Sequence, residues 1–169
     1  MSMDREELKS LIKNVFASVP HPGPAYIADS HHCDECRGVV DAFQHTTWQT
    51  ISAAKVDANY DKLPLLFPNA YHHFLPAFLL RSLDAAGGLT WEFTFYTLTP
   101  KNVSADPKSA MEQRWYDERT HIFNAAQLTC LIAYLEFQST EFERLERWLA
   151  TEKVMARKLT HWRQLLSTK

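Results

Sequence analysis

The chain is 169 residues long, 46% apolar, 12% aromatic and 22% charged, a composition that can bury a core and is too apolar for a disordered segment. Eighteen Lys and Arg face 20 Asp and Glu, for a formal net charge of -2. That balance argues against a dedicated nucleic-acid binder, whose affinity comes largely from neutralising phosphates with a basic face.

No charged start leads into an apolar run, and no stretch reaches the roughly 18 apolar residues a membrane helix needs; the expectation is a chain with no signal peptide and no membrane association. Three cysteines, Cys33, Cys36 and Cys130, are too few for a disulfide framework, so a cytoplasmic location is expected. With 4 glycines and neither GxxxxGK[ST] nor GxGxxG, no nucleotide cofactor is expected. GxSxG and HExxH are absent as well, so the common serine and zinc hydrolase signatures lend no support to an enzyme.

In chain order, Leu8, Leu11, Ile12, Val15, Phe16 and Val19 keep the 3-4 spacing of an amphipathic helix. Asp4 and Glu7 fit a capping box at its start. Pro20, Pro22 and Pro24 end it, because proline has no amide donor and biases its predecessor away from helix. A short extended piece is expected at Ala25–Ala28. A second helix is predicted from about Asp34, turning Cys36, Val39, Val40 and Phe43 inward. Thr46 or Thr47 should cap a third, shorter one holding Trp48, Ile51 and Val56. Pro68 fits a first helical position, and residues 69–83 are apolar almost all round, which predicts a central buried helix. Pro76 inside it should produce a kink and denies the His72 carbonyl its usual donor. Gly87-Gly88 is the stop.

Leu89, Trp91, Phe93 and Phe95 alternate with Thr90, Glu92, Thr94 and Tyr96, the period of a strand, so residues 89–98 are expected to be extended. Its only visible partner is Ala25–Ala28. Residues 100–107 read as a polar loop and helix returns over about 109–118. Asn124 and Gln127 form a capping-type pair ahead of Leu128, Leu131, Ile132 and Leu135. A long helix is predicted over 140–166, with Trp148, Met155, Leu159, Trp162 and Leu166 on one stripe. The fold class expected is mainly α: a single compact domain over residues 1–169, six or seven helices, and at most one small two-stranded element.

Several segments carry a resemblance. They are Cys33-Asp34-Glu35-Cys36 followed by an aromatic and Trp48, then Phe74-Leu75-Pro76-Ala77-Phe78-Leu79-Leu80, then Leu98-Thr99-Pro100, and finally Phe123-Asn124-Ala125-Ala126-Gln127 leading to Tyr134-Leu135-Glu136-Phe137. With these the chain resembles an uncharacterised family of small, mostly bacterial proteins. The resemblance implies one compact domain and carries no activity.

The densest set of soft ligands is His31-His32-Cys33-Asp34-Glu35-Cys36. Two thiolates at i and i+3 can share a tetrahedral zinc at about 2.3 Å per bond, and an imidazole can join them. Candidate metal ligands are therefore Cys33, Cys36, His31, His32, His72 and His73, with His45 a further source. The alternative is structural: Cys36 in the core, Cys33 at the helix start, and Asp34 and Glu35 favouring the helix N-terminus. A redox dithiol is the third reading; Asp34 and Glu35 beside the sulfurs count against it, since like charge raises a thiol pKa. His72 and His73 could each serve as a general base, although adjacent helical residues point about 100° apart. No nucleophile has a visible base and orienter, so catalytic residues stay unassigned. Arg114, Asp117, Glu118, Arg119 and His121 read as a solvated helix face.

In the C-terminal segment Glu141, Glu143 and Glu146 precede Lys153, Arg157, Lys158, Arg163 and Lys169, an order that suits the helix dipole. The same basic helix with Trp162 could dock a protein partner or pair in a homodimer through the seven-residue spacing Trp148-Met155-Trp162. The leading functional expectation is a non-enzymatic binding or adaptor protein, with a structural zinc site as an added feature. The alternative is a metal-dependent enzyme using Cys33, Cys36 and neighbouring histidines.

Overall fold

The computed structural model describes residues 3–99, 107–144 and 152–169. Eight α-helices and two 3-10 turns appear among these residues and no strand does, so the mainly α expectation holds. No helix is long and apolar enough to cross a membrane among the described residues. The chain forms two compact units, one of Met1–Val15 with Leu98–Lys169 and one of Phe16–Thr97.

The Phe16–Thr97 unit is built on a largely buried helix. Helices α2 (Asp34–Phe43), α3 (Ala53–Ala58), α4 (Pro68–Asp84) and α5 (Leu89–Thr97) follow in order. Pro68 opens α4, where its missing amide costs nothing, and the helix continues through Pro76. Ala70, Tyr71, every residue from His73 to Leu79, Ser82 and Leu83 are buried. Helix α4 packs against α5, α3 and the Leu63–Leu65 turn. Past its end, Gly87 takes φ +87, which favours glycine. Phe43 ties α2 to this helix, its ring 4.8 Å from that of Phe74 and 6.3 Å from that of Phe78.

Three local expectations are corrected in this unit. Residues 89–97 are helical, because the buried side chains are Thr90, Trp91, Thr94 and Phe95, a helical i, i+1, i+4, i+5 set, while Leu89 is exposed. Thr90 is compatible with burial because its hydroxyl donates to Asp57 at 2.8 Å. Pro24–Tyr26 is a 3-10 turn closed by the Tyr26 amide on the Gly23 carbonyl, with Gly23 at φ +90. The third helix is capped by Ser52, whose hydroxyl accepts from the Lys55 amide at 3.2 Å, while Thr47 and Thr50 hydrogen-bond each other in a separate turn.

The other unit contains α1 (Arg5–Val15), α6 (Pro107–Thr120), α7 (Ala125–Arg144) and α8 (Glu152–Ser167). Both predicted capping pairs are reciprocal. The Asp4 amide donates to Glu7 and the Glu7 amide to Asp4, each at 2.9 Å. The Asn124 backbone amide donates to the Gln127 side-chain Oε1 at 3.1 Å, and the Gln127 backbone amide to Asn124 Oδ1 at 2.9 Å. Gln127 also donates from Nε2 to the Val15 carbonyl at 3.3 Å, joining α7 to the end of α1. Helix α7 packs against α1 and α8. Met155 and Trp162 are buried in this unit, and Trp162 Nε1 donates to the Leu98 carbonyl at 3.1 Å. Trp148, Glu146 and residues 100–106 of the expected 100–107 loop lie outside the described residues, and Pro107 begins α6. The α6 face is not wholly solvated: Arg119 is buried, its guanidinium 4.1 Å from the Trp115 ring centre and donating to the Trp115 carbonyl.

Candidate dithiol site

Helix α2 starts where Cys33 takes an extended conformation, φ -163 and ψ 167, and its sulfur accepts from the Cys36 amide at 3.3 Å. Cysteine thus fills the capping position usually taken by Ser, Thr, Asn or Asp. Cys36, Val39 and Phe43 form the buried stripe of the helix. This stripe turns Cys36 inward and leaves Cys33 half-exposed at the helix mouth. The two sulfurs are 3.1 Å apart and share a hydrogen bond.

The environments of the two thiols differ, and they separate the pKa values. Cys33 is lowered from the ordinary 9.0, first by the hydrogen bond with Cys36 and then by the Cys36 amide, with the Glu35 charge opposing more weakly. Cys36 is pushed up to about 11, first by the hydrogen bond with Cys33 and then by burial. Either sulfur could hold the shared proton. The Cys33 sulfur is half-exposed and met by the Cys36 amide, so it is the easier of the two to ionise and Cys36 the better holder of the proton. Asp34 and Glu35 weigh less than their sequence positions suggest, because each has a cation. The Asp34 carboxylate, 95% exposed, accepts from Arg37 at 2.9 Å, and Glu35 pairs with Lys62, whose pKa is raised by that contact. Cys130, in α7 of the other unit, is buried, its thiol pushed up to about 12 by desolvation.

The histidines are distributed differently. His31, His32 and His45 are exposed, and the His31 amide donates to the Asp29 carboxylate at 3.1 Å. His72 sets its ring against Phe16 at 6.1 Å. His73 is buried, 2% exposed, with Nδ1 3.0 Å from the Val19 carbonyl and Nε2 accepting from the Trp48 amide at 3.3 Å. A carbonyl only accepts, so Nδ1 carries the proton and the ring is neutral. Burial lowers its pKa further from 6.5. His73 therefore has both ring nitrogens engaged in fastening the segments around Val19 and Trp48 to α4. Among the described residues, no group of three or more His, Cys, Asp or Glu is arranged to hold a metal ion. Of the six candidate ligands, the hydrogen bonds described join only Cys33 and Cys36 to each other.

The sequence placed Cys36 in the core and Cys33 at the helix start, as the structure has them, but did not foretell the separation of their pKa values. The signal was present: the first cysteine of a Cys-x-x-Cys that falls at a helix N-cap meets the free amides of the first turn. No curated protein and no solved structure is significantly similar to the chain. Residues 4–165 match a family of unknown function (DUF6714), and with that coverage of its length the chain belongs to this family.

Proposed function

We propose that the protein is a thiol–disulfide redox protein, with Cys33 the attacking sulfur and Cys36 the resolving one. The observation that carries this reading is the 3.1 Å sulfur–sulfur approach at the mouth of α2, with Cys33 half-exposed and Cys36 buried behind it. Closing a disulfide asks the sulfurs to move about 1 Å nearer, to the bond length of about 2.05 Å. The Cys33 thiolate attacks one sulfur of a substrate disulfide, forming a mixed disulfide and expelling the first substrate thiolate. Cys36 then gives up its proton and attacks the Cys33 sulfur, expelling the second thiolate and leaving a Cys33–Cys36 disulfide. Two electrons pass from the protein to the substrate, which leaves as two thiols after taking up two protons. Attack by Cys33 is helped by its lowered pKa, since the thiolate is the nucleophile.

The test is a redox titration in mixtures of reduced and oxidised glutathione, with acid quenching, alkylation and intact-mass readout. The expected result is one two-electron transition with a midpoint between about -300 and -150 mV, abolished in Cys33→Ser and in Cys36→Ser. Absence of any Cys33–Cys36 disulfide at the most oxidising mixture refutes the proposal. So does one zinc per chain in protein prepared without chelator and lost in the double serine variant, which would make the pair a metal site instead.

A further inference from the structure

The surroundings of the dithiol bear an excess of negative charge. Asp34 directly follows Cys33, and the Asp34 and Glu35 side chains are 95% and 55% exposed. Asp29 and Glu35 both act electrostatically on the Cys36 sulfur, and Glu35 on that of Cys33 as well. Two cations answer these groups. Arg37 is held by Asp34, and Lys62 is shared between Glu35 and Asp61, the latter at 3.0 Å. Four carboxylates against two cations leave this end of α2 net negative, and the charges nearest to Cys33 along the chain are the acidic ones.

A substrate disulfide must bring its sulfur to Cys33, the more exposed of the two, and so must enter this field. We infer that the dithiol selects its substrates by charge, reacting faster with cationic disulfides than with anionic ones, and that Asp34 and Glu35 set the preference. This inference rests on the redox reading and names its substrate class: disulfides flanked by basic groups. The carboxylates contact no sulfur, so their effect is on encounter and on the stability of the mixed disulfide, not on the bond-breaking step. Their pairing with Arg37 and Lys62 moderates the field without cancelling it.

The reduced protein is mixed at pH 8, where imidazoles are ordinarily uncharged, with cystamine, 2-hydroxyethyl disulfide or oxidised glutathione. These are cationic, neutral and anionic in turn. Rates of dithiol loss are divided by those of free dithiothreitol with the same reagent, which removes the intrinsic reactivity of each disulfide. At low salt the normalised preference for cystamine over oxidised glutathione is expected to be on the order of tenfold, shrinking toward one at high salt as screening sets in. In the Asp34→Asn/Glu35→Gln variant the preference should fall several-fold while the rate with the neutral disulfide stays within about twofold. A normalised ratio near one in the native protein, with the neutral disulfide reacting normally, overturns the charge inference alone. An unchanged ratio in the variant overturns the assignment to Asp34 and Glu35. No oxidation by the neutral disulfide overturns the redox reading itself.

Discussion

Substituting His73 by Phe tests whether that histidine is a structural fastener. Phenylalanine fills a similar volume, so the change deletes two polar contacts without opening a large cavity in α4. The Trp48 amide loses its acceptor at 3.3 Å and the Val19 carbonyl its donor at 3.0 Å, at a position 2% exposed. Each buried group stranded in this way costs about 1–3 kcal/mol, and the added apolar burial offsets part of it, so the net loss should be about 2–4 kcal/mol. Urea unfolding followed by far-ultraviolet circular dichroism would show this as a lower midpoint with unchanged slope. The native protein should also show a specific acid dependence. His73 is neutral when folded and its pKa is lowered from 6.5, so the unfolded chain takes up the extra proton first. The stability it confers is complete above about pH 6.5 and declines as pH falls below that value, by up to about 1.4 kcal/mol per pH unit, until the folded ring also protonates. His73→Phe should lack this part of the slope. A variant within about 0.5 kcal/mol of the native protein, well inside the expected cost of a stranded group, would refute the fastening role. So would an identical pH profile between 5 and 7.

Replacing Cys36 by Ala removes the sulfur–sulfur hydrogen bond that chiefly lowers the Cys33 pKa, so the pH at which Cys33 half-alkylates with iodoacetamide should rise toward 9, the ordinary thiol value; an unmoved midpoint would show that the shared hydrogen bond does not lower it. Asn124→Ala should cost about 1 kcal/mol through the loss of its cap, and Gln127→Ala more, because the bond to the Val15 carbonyl goes too; thermal melts that rank them in reverse would refute the dual role of Gln127. Asp57 accepts from Arg81 Nε and Nη2 and from Thr90, and its carboxyl is held below the usual 3.8, chiefly by Arg81. Its contribution is present above about pH 4 and is lost as pH falls through the lowered value, so Asp57→Asn should flatten the acid limb of the stability curve; a native-like limb would rule that out.

The helices that pack one apolar stripe were legible from spacing alone. Helix α1 was found with its cap, and the start of α2 and of α4 were placed at Asp34 and Pro68 as expected. Helix α5 was not, and the reason is chemical. Alternation of large apolar residues with threonines imitates a strand when Thr is counted as polar, yet Thr90 and Thr94 are buried and Leu89 is exposed. The acceptor that lets Thr90 go inside is Asp57, 33 residues earlier, held in place by Arg81. A pattern window over 89–98 cannot contain that partner, because it is supplied by α3 and α4.

The dithiol gives the converse case, in which the residues were evident and their electrostatics were not. Charges adjacent in sequence suggested that Asp34 and Glu35 would raise both thiols. In the folded chain these carboxylates face Arg37 and Lys62, while the sulfur of Cys33 faces backbone amides. A hydrogen bond aimed at the sulfur outweighs a solvated charge beside it, because water and the countercharge screen the latter and leave the former intact. The net charge around α2 therefore has little say in whether Cys33 ionises. It keeps its influence over what approaches, since an incoming charged disulfide responds to the same field before any capping amide can oppose it.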